Sequence, residues 1–273
     1  MTLNNTLIRI IVSVIAIPVI LLLVILGGIP FLMLILGIGL VAFWEFSGLV
    51  EYKNAKINFL MGIISISALI INAYIQFIDF LPLIILFSIL VLISELFRNN
   101  GSEILNIGAT FLGIFYIGLF SSTIILIREF FSDSQMLYPE GGYLIISILV
   151  SIWICDSAAF FIGSAFGRHK LFPRVSPNKS WEGAIAGFVF SIIAMIAAKA
   201  LILEILTLTN AIIIGIIVGV IGQTGDLIES LIKRDAKVKD SSSLVPGHGG
   251  IFDRFDSLFL TAPSVYLYLY LFI

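Results

Sequence analysis

The sequence has little charge and almost no cysteine. Only 12% of its 273 residues are charged, about half of the roughly 25% that is usual in a soluble domain. Hydrophobic residues make up 60%, and the mean hydropathy is +1.16. A soluble fold of this length could not hide so much apolar surface, whereas a lipid bilayer can solvate it. The composition therefore predicts an integral membrane protein.

The sequence lacks the characteristic residues of several functional classes. Cys155 is the one cysteine, which excludes a disulfide within the chain and argues against redox chemistry. The sequence contains no Walker-type glycine-rich loop, no Ser-His-Asp or Cys-His arrangement and no Cys/His cluster at zinc spacing. The first residues lack a basic region, and no small-residue cleavage site follows them, so we interpret the first apolar run as a span and not as a signal peptide.

Nine apolar stretches approach the roughly 20 residues that an α-helix needs to span hydrocarbon. They are 7–27, 30–44, 57–78, 81–97, 104–127, 143–166, 181–203, 211–232 and 255–273. We therefore predict an all-α, polytopic membrane protein with about nine transmembrane helices in one helical domain, 1–273. Polar residues concentrate between about 143 and 273, where we expect the active site. We assign no role to the N-terminal half, 1–142.

The basic residues are distributed unevenly among the loops. Twelve of the fifteen Lys and Arg lie in or beside the loops that follow the second, fourth, sixth and eighth apolar stretches. Cytoplasmic loops carry an excess of Lys and Arg. These four loops and the N-terminus are therefore predicted to be cytoplasmic.

The loop 167–183 contains more basic and polar residues than membrane topology alone requires. It holds four Lys or Arg side chains and leads into a helix at Ser180, a suitable N-cap residue. The free N–H groups of a helix start and nearby cations attract the same anion, so the loop favours a phosphate ligand. Ordinary topological signalling is the alternative. In the span before this loop, Asp156 is either a pocket residue or the partner of a buried cation.

A second polar region runs from 223 to 256. Asp226, Ser230 and Lys233 are spaced i, i+4 and i+7, so they share one face of a helix. Asp226 lies inside the end of a span, where a carboxylate is costly and usually faces a polar cavity or a partner. Asp253 and Asp256 are three residues apart and share one face of the next helix start.

Three carboxylates brought together require cations. Hard divalent ions are the usual solution when phosphates are also present, and Mg²⁺ binds one or two carboxylates and shares its other positions with substrate and water. Asp226, Asp253 and Asp256 are therefore the predicted Mg²⁺ ligands, with a second cation left open. Carboxylates, Mg²⁺ and basic side chains are the components of phosphoryl or nucleotidyl transfer. The alternative is a salt-bridged helix end that pairs Asp226 with Lys233 and Asp253 with Arg254.

The segment 230–256 resembles the signature of the phosphatidate cytidylyltransferases, also called CDP-diacylglycerol synthases. That signature reads Ser-x-x-Lys-Arg, four residues, Lys-Asp, and then Pro-x-His-Gly-Gly-x-x-Asp-Arg-x-Asp. Its fixed positions are met by Ser230, Lys233, Arg234, Lys239, Asp240, Pro246, His248, Gly249, Gly250, Asp253, Arg254 and Asp256. The loop 167–183 is similar to the family's second motif, although Asn178 and Ser180 stand where Lys and Thr are commoner.

The resemblance implies a reaction in which the phosphate of phosphatidic acid attacks the α-phosphate of CTP, giving CDP-diacylglycerol and pyrophosphate. The lipid phosphate is the nucleophile, so no protein nucleophile is required. Catalytic roles fall to Asp226, Lys233, Asp253 and Asp256. The implied substrate-binding residues are Lys170, Ser176, Lys179, Ser230, Arg234, Lys239, His248, Gly249, Gly250 and Arg254, among which the role of His248 is the least defined.

The resemblance also implies a location in the bacterial inner membrane, with the active site on the cytoplasmic side. The expected partners are CTP, phosphatidic acid and the bilayer; nucleic acid is not among them, and a homodimer is left open. A CTP-dependent lipid-alcohol kinase, which would transfer the γ-phosphate, is the neighbouring alternative. An alternative of another class is an ion-coupled transporter that uses Asp156, Asp226 and Lys199 as a relay. The clustering of polar residues in two loops of one half argues against the transporter.

Overall fold

The computed structural model describes residues 5–132, 134–247 and 249–273, with side chains from residue 7 onward. Within these ranges the chain is helical apart from one short hairpin and the connecting loops. The helices are α1 (Asn5–Leu26), α2 (Gly28–Glu51), α3 (Phe59–Ile75), α4 (Phe80–Glu95), α5 (Glu103–Gly113), α6 (Phe120–Arg128), α7 (Tyr138–Phe166), α8 (Trp181–Leu201), α9 (Leu208–Ile217), α10 (Gln223–Asp235) and α11 (Phe252–Phe272). Two π-helical turns, Ile114–Leu119 and Val218–Gly222, join α5 to α6 and α9 to α10.

The helices have the length and composition of membrane spans. Among the described residues, seven helical segments are long and apolar enough to cross a bilayer. These are Leu7–Leu26, Gly28–Glu51, Glu103–Arg128, Tyr138–Phe166, Trp181–Leu201, Leu208–Asp235 and Phe252–Phe272. Helices α3 and α4 are apolar but shorter. The predicted all-α, polytopic class is confirmed, while the number of nine spans stays a prediction.

The described chain forms two compact units, each built from discontinuous segments. The first comprises the chain up to Leu126 together with Ile232–Phe255, and the second comprises Ile127–Leu231 together with Asp256–Ile273. The boundary therefore falls within α10 and within α11. The expectation of a single helical domain over 1–273 stays a prediction.

The first unit is built around α2, which packs against α3 and the first π-helical turn. Its core contains fully buried aromatic and aliphatic side chains such as Phe43, Phe46 and Ile66. The ring of Phe252, the first residue of α11, lies with its centroid 6.1 Å from that of Phe46 and 6.0 Å from that of Tyr116. These ring contacts anchor the start of α11 in the aromatic core of this unit.

The second unit is built on α7 and α8, which pack along each other, with α9 against α8. A two-stranded antiparallel hairpin connects α7 to α8. It consists of β1 (Lys170–Phe172) and β2 (Ser176–Ser180), with Lys170 opposite Ser180 and Phe172 opposite Ser176. The sequence predicted a loop at this place. The hairpin gives the basic residues of that segment a defined backbone.

Candidate active site

The hairpin places its polar residues next to the start of α8. Ser180 has an extended backbone, and its hydroxyl oxygen accepts a hydrogen bond from the Gly183 N–H at 3.2 Å. The predicted N-cap is therefore confirmed. Glu182, in the first turn of the helix, contacts His169 Nδ1 at 2.7 Å. This contact connects the residue before the hairpin to the start of α8. Lys170 is exposed on β1, and Ser176 is half-buried on β2.

Asp226 lies at the centre of a polar cluster in the second unit. Its Oδ2 accepts a hydrogen bond from the Lys179 ammonium, and its Oδ1 accepts one from the Ser230 hydroxyl at 3.4 Å. One carboxylate oxygen each of Asp226, Glu229 and Asp256 lie within 4.8 Å of one another. We call Asp226, Glu229 and Asp256 the acidic cluster.

The acidic cluster has the donor set of a hard cation. Three carboxylates within 4.8 Å of one another repel strongly where water is scarce, and the Lys179 ammonium can offset only part of that charge. Oxygen ligands at this spacing suit Mg²⁺, which binds through carboxylates while retaining positions for substrate oxygens and water. The residues therefore fit the metal that the sequence predicts.

Glu229 lies outside the i, i+4 and i+7 face that the sequence indicates, although its spacing from Asp226 is informative. It lies three residues after Asp226 on α10, so the two carboxylates are neighbours on the helix surface. The sequence pattern drew attention to the i, i+4 and i+7 face instead. Glu229 is fully buried, and carboxylates are almost never fully buried unless they are paired or bind a metal.

In the first unit, Asp253 lies in a different environment. Its Oδ1 accepts a hydrogen bond from the Lys233 ammonium at 2.8 Å, and the two side chains are 2% and 11% exposed. Its Oδ2 accepts backbone hydrogen bonds from Ser241 at 3.0 Å and Gly250 at 2.8 Å. Asp253 thus connects α10, the following loop and the start of α11. Whether it also binds a metal ion stays a prediction.

The remaining predicted site residues lie along the same chain segment. Arg234 donates a hydrogen bond to the Val238 carbonyl oxygen at 2.9 Å. Arg234, Lys239 and Arg254 are exposed, so their charged ends can reach an anionic ligand. Gly249 has a φ of 85°, and Gly250 is buried. His248 lies outside the described residues.

Two further acidic residues, Asp156 and Glu45, lie outside the acidic cluster. Asp156 is exposed on α7, and the two sequence interpretations of it stay open. Glu45, on α2, is 3% exposed and accepts hydrogen bonds from the loop that precedes α11 and from the first residue of that helix. No sequence pattern indicated Glu45, because its partners lie about two hundred residues away along the chain.

Comparisons with known proteins agree with the site chemistry. A sequence model described as the cytidylyltransferase family matches residues 7–272. The chain is 34% identical over 269 residues to a phosphatidate cytidylyltransferase of Bacillus subtilis strain 168, covering 97% of each protein. It is 30% identical over 263 residues to a protein of the same name from Staphylococcus aureus strain COL, covering 94% of this chain and 96% of that protein. A Haemophilus influenzae protein of that name is 40% identical over 138 residues, about half of each chain.

Proposed function

Because the chain belongs to the cytidylyltransferase family, we propose that it transfers the cytidylyl group of CTP to phosphatidic acid. An oxygen of the lipid phosphate attacks the α-phosphorus of CTP, the bond from that phosphorus to the bridging oxygen breaks, and pyrophosphate leaves. CDP-diacylglycerol is the lipid product. The observation that carries the proposal is the acidic cluster beside Lys179, within a chain related over nearly its whole length to proteins named for this reaction.

The reaction brings two negatively charged substrates together, and the acidic cluster can hold a cation that reduces their repulsion. Asp226, Glu229 and Asp256 would hold Mg²⁺, which would supply charge neutralisation between two phosphate-bearing substrates. A phosphate monoester is largely ionised at neutral pH, so the nucleophile needs no protein base. The protein's own residues therefore act by positioning the substrates and stabilising negative charge. A second cation stays a prediction.

The cationic side chains are predicted to bind the phosphates of the two substrates. In the second unit, the Lys179 ammonium already lies against Asp226, where it would orient the carboxylate and approach a phosphate oxygen. In the first unit, the predicted phosphate contacts come from Arg234, Lys239 and Arg254, all exposed. Lysine and arginine make charge-assisted hydrogen bonds to phosphate, which are stronger than neutral ones.

The other predicted contacts are polar and uncharged or depend on backbone geometry. Ser176 and Ser230 have hydroxyl groups that can donate to phosphate oxygens. Gly249 is predicted to let a ligand approach the backbone closely. Gly250 is also predicted to contribute to substrate binding, although its own N–H donates to Asp253. His248 is predicted to contact the leaving pyrophosphate. Lys170, on the hairpin, is exposed and is predicted to contribute to phosphate binding.

We further propose that the protein resides in the bacterial inner membrane with its N-terminus and active site in the cytoplasm. The distribution of Lys and Arg supports this orientation. It also matches the substrates, because CTP is water-soluble whereas phosphatidic acid remains in the bilayer. A homodimer stays a prediction.

The label position in CTP tests the reaction directly. Purified protein in phosphatidic acid vesicles should transfer radiolabel from α-labelled CTP to lipid and none from γ-labelled CTP. Label entering lipid from the γ-position would identify a lipid kinase instead. Substrate flux across sealed vesicles, with no pyrophosphate released, would identify a transporter.

A further inference from the structure

Helix α2 buries a carboxylate far in sequence from the signature residues. Glu45 is 3% exposed, and both of its oxygens accept hydrogen bonds from the loop before α11 and the first residue of that helix. Oε1 accepts from the Ser242 hydroxyl at 2.6 Å and the Ile251 N–H at 3.0 Å. Oε2 accepts from the Ser241 hydroxyl at 3.0 Å and the Phe252 N–H at 2.7 Å. Four donors thus converge on one side chain.

Two of these donors belong to the start of α11. The first N–H groups of a helix have no acceptor within the helix, and the helix dipole favours a negative charge there. Glu45 supplies both the acceptor and the charge, although it comes from a different helix. A buried carboxylate is stable only when it is well hydrogen-bonded. The donors therefore stabilise the Glu45 carboxylate, and the carboxylate in turn fixes the position of the donors.

Gly250 allows the carboxylate to come this close. A Cβ atom at Gly250 would collide with the Ser241 hydroxyl oxygen and with both carboxylate oxygens of Glu45. Such contacts could be relieved only if the carboxylate or the loop moved. Part of the requirement for glycine in this segment is therefore set by Glu45 and not by a ligand.

The loop held by Glu45 also holds Asp253. Ser241 donates its hydroxyl to Glu45 and its backbone N–H to Asp253. Gly250 donates its N–H to Asp253 at 2.8 Å, and Asp253 pairs with Lys233. A shift of the loop away from Glu45 would therefore move the donors that orient Asp253.

We propose that Glu45 is a positioning residue for cytidylyl transfer, which fixes its four donor residues, Ser241, Ser242, Ile251 and Phe252, and through them the Asp253–Lys233 pair. The inference rests on the proposed function and gives helix α2, in the N-terminal half, a task in the reaction. Glu45 would not touch substrate. Its effect is on the geometry of groups that act in the transition state.

The test uses Glu45→Gln with Glu51→Gln as its control. Glu51 lies on the same helix and is exposed, so the control makes the same chemical change without the contacts. The glutamine amide nitrogen is a donor and cannot accept a hydrogen bond. In the variant it therefore faces one hydroxyl and one backbone N–H that lose their acceptor. Because small misplacements can reduce rate by about 10²-fold, we expect kcat to fall by about that factor while KM for CTP changes by less than about 3-fold. Glu51→Gln should match wild type in both.

Hydrogen exchange measures the loop independently of activity. The amides of Ile251 and Phe252 should exchange faster in Glu45→Gln than in wild type or Glu51→Gln. Unchanged kcat together with unchanged exchange in Glu45→Gln would overturn the inference. An inactive wild-type protein would instead contradict the proposed function, and the exchange measurement would still test the contacts.

A second variant covers the case in which Glu45→Gln does not fold. Ser241→Ala combined with Ser242→Ala removes the two hydroxyl donors and leaves the carboxylate with its backbone donors. We expect faster exchange at Ile251 and Phe252 and a kcat reduced by about 10-fold, since each lost charge-assisted hydrogen bond loosens the loop. Wild-type kcat and exchange in this double variant would contradict the proposal.

Discussion

At the scale of single residues, the aspartates of α11 lie in two different environments. Asp256 belongs to the acidic cluster in the second unit. Asp253, three residues earlier, accepts hydrogen bonds from Lys233 and from two backbone N–H groups in the first unit. Spacing alone predicts that both lie on one helix face, and it treats them as equivalent ligands. Because their contacts differ, we expect substitutions of Asp253 and Asp256 to have different effects on stability and activity.

Asp256→Asn tests the acidic cluster. The change removes one negative charge from the proposed Mg²⁺ site while keeping the size of the side chain. We expect kcat to fall by about 10²-fold or more, the usual effect of removing one preorganised electrostatic group. Label transfer from α-labelled CTP measures this loss. Asp79→Asn, an exposed position at the start of α4, is the matched control, and equal activities of the two variants would refute the role of Asp256.

Asp253→Asn should reduce stability as well as activity. The substitution leaves the Lys233 ammonium, 11% exposed, without its carboxylate, and breaking a buried pair in this way costs about 3–5 kcal/mol. The melting temperature in detergent should therefore drop. Adding Lys233→Met should restore much of the stability without restoring cytidylyl transfer. A single variant as stable as wild type would show that the pair is not important for the fold.

Part of the candidate site could be predicted from the sequence. Asp226 is indicated by its position inside the end of a span, where a carboxylate is rare, and Asp256 by its spacing from Asp253 at the start of the next helix. Glu229 was overlooked on the same helix, although its spacing was informative. Glu45 could not be found, because its contacts join α2 to a loop about two hundred residues later. Such pairing leaves no periodic pattern in the sequence.

At the scale of elements, the helix ends were less predictable than the helices. Helix α2 continues to Glu51, whereas its apolar run was expected to end at residue 44. The apolar run stops because Glu45 and Ser47 are polar. The helix continues past both residues, and the buried Glu45 carboxylate accepts hydrogen bonds from distant residues. The hairpin 170–180 was not predicted, because its two strands are short and contain no alternating apolar pattern.

Glycines allow α7 and α8 to pack closely, and Gly183 is one of them. A Cβ atom at Gly183 would lie 2.6 Å from the Ala159 carbonyl oxygen and 3.0 Å from the Gly163 Cα atom. Gly183→Ala should therefore separate the helices and lower the melting temperature. Gly108→Ala is the control, because a Cβ there meets nothing within 4 Å, and it should stabilise the protein by about 0.5–1 kcal/mol.

Thermal unfolding in detergent compares the two alanine variants. The expected order of melting temperatures is Gly108→Ala, wild type, Gly183→Ala, from highest to lowest. Equal melting temperatures for wild type and Gly183→Ala would mean that α7 and α8 can separate without loss of stability.

At the scale of the whole molecule, the distribution of basic residues predicts the orientation in the membrane. Single cysteines can test it, because the native Cys155 is buried. Gln135→Cys and Asn99→Cys are at exposed positions in loops predicted to lie on opposite sides. A membrane-impermeant maleimide should label Gln135→Cys in intact spheroplasts and Asn99→Cys only after permeabilisation. The reverse pattern would place the active site outside the cytoplasm.

The Mg²⁺ dependence of transfer tests the central claim most directly, namely that the acidic cluster holds the cation of the reaction. Transfer of label from α-labelled CTP to phosphatidic acid is measured against Mg²⁺ concentration for wild type and Glu229→Gln. We predict that chelation abolishes wild-type transfer, that Mg²⁺ restores it, and that the variant requires about 10-fold more Mg²⁺. Transfer that persists after chelation, or identical Mg²⁺ curves for the two proteins, would contradict the account.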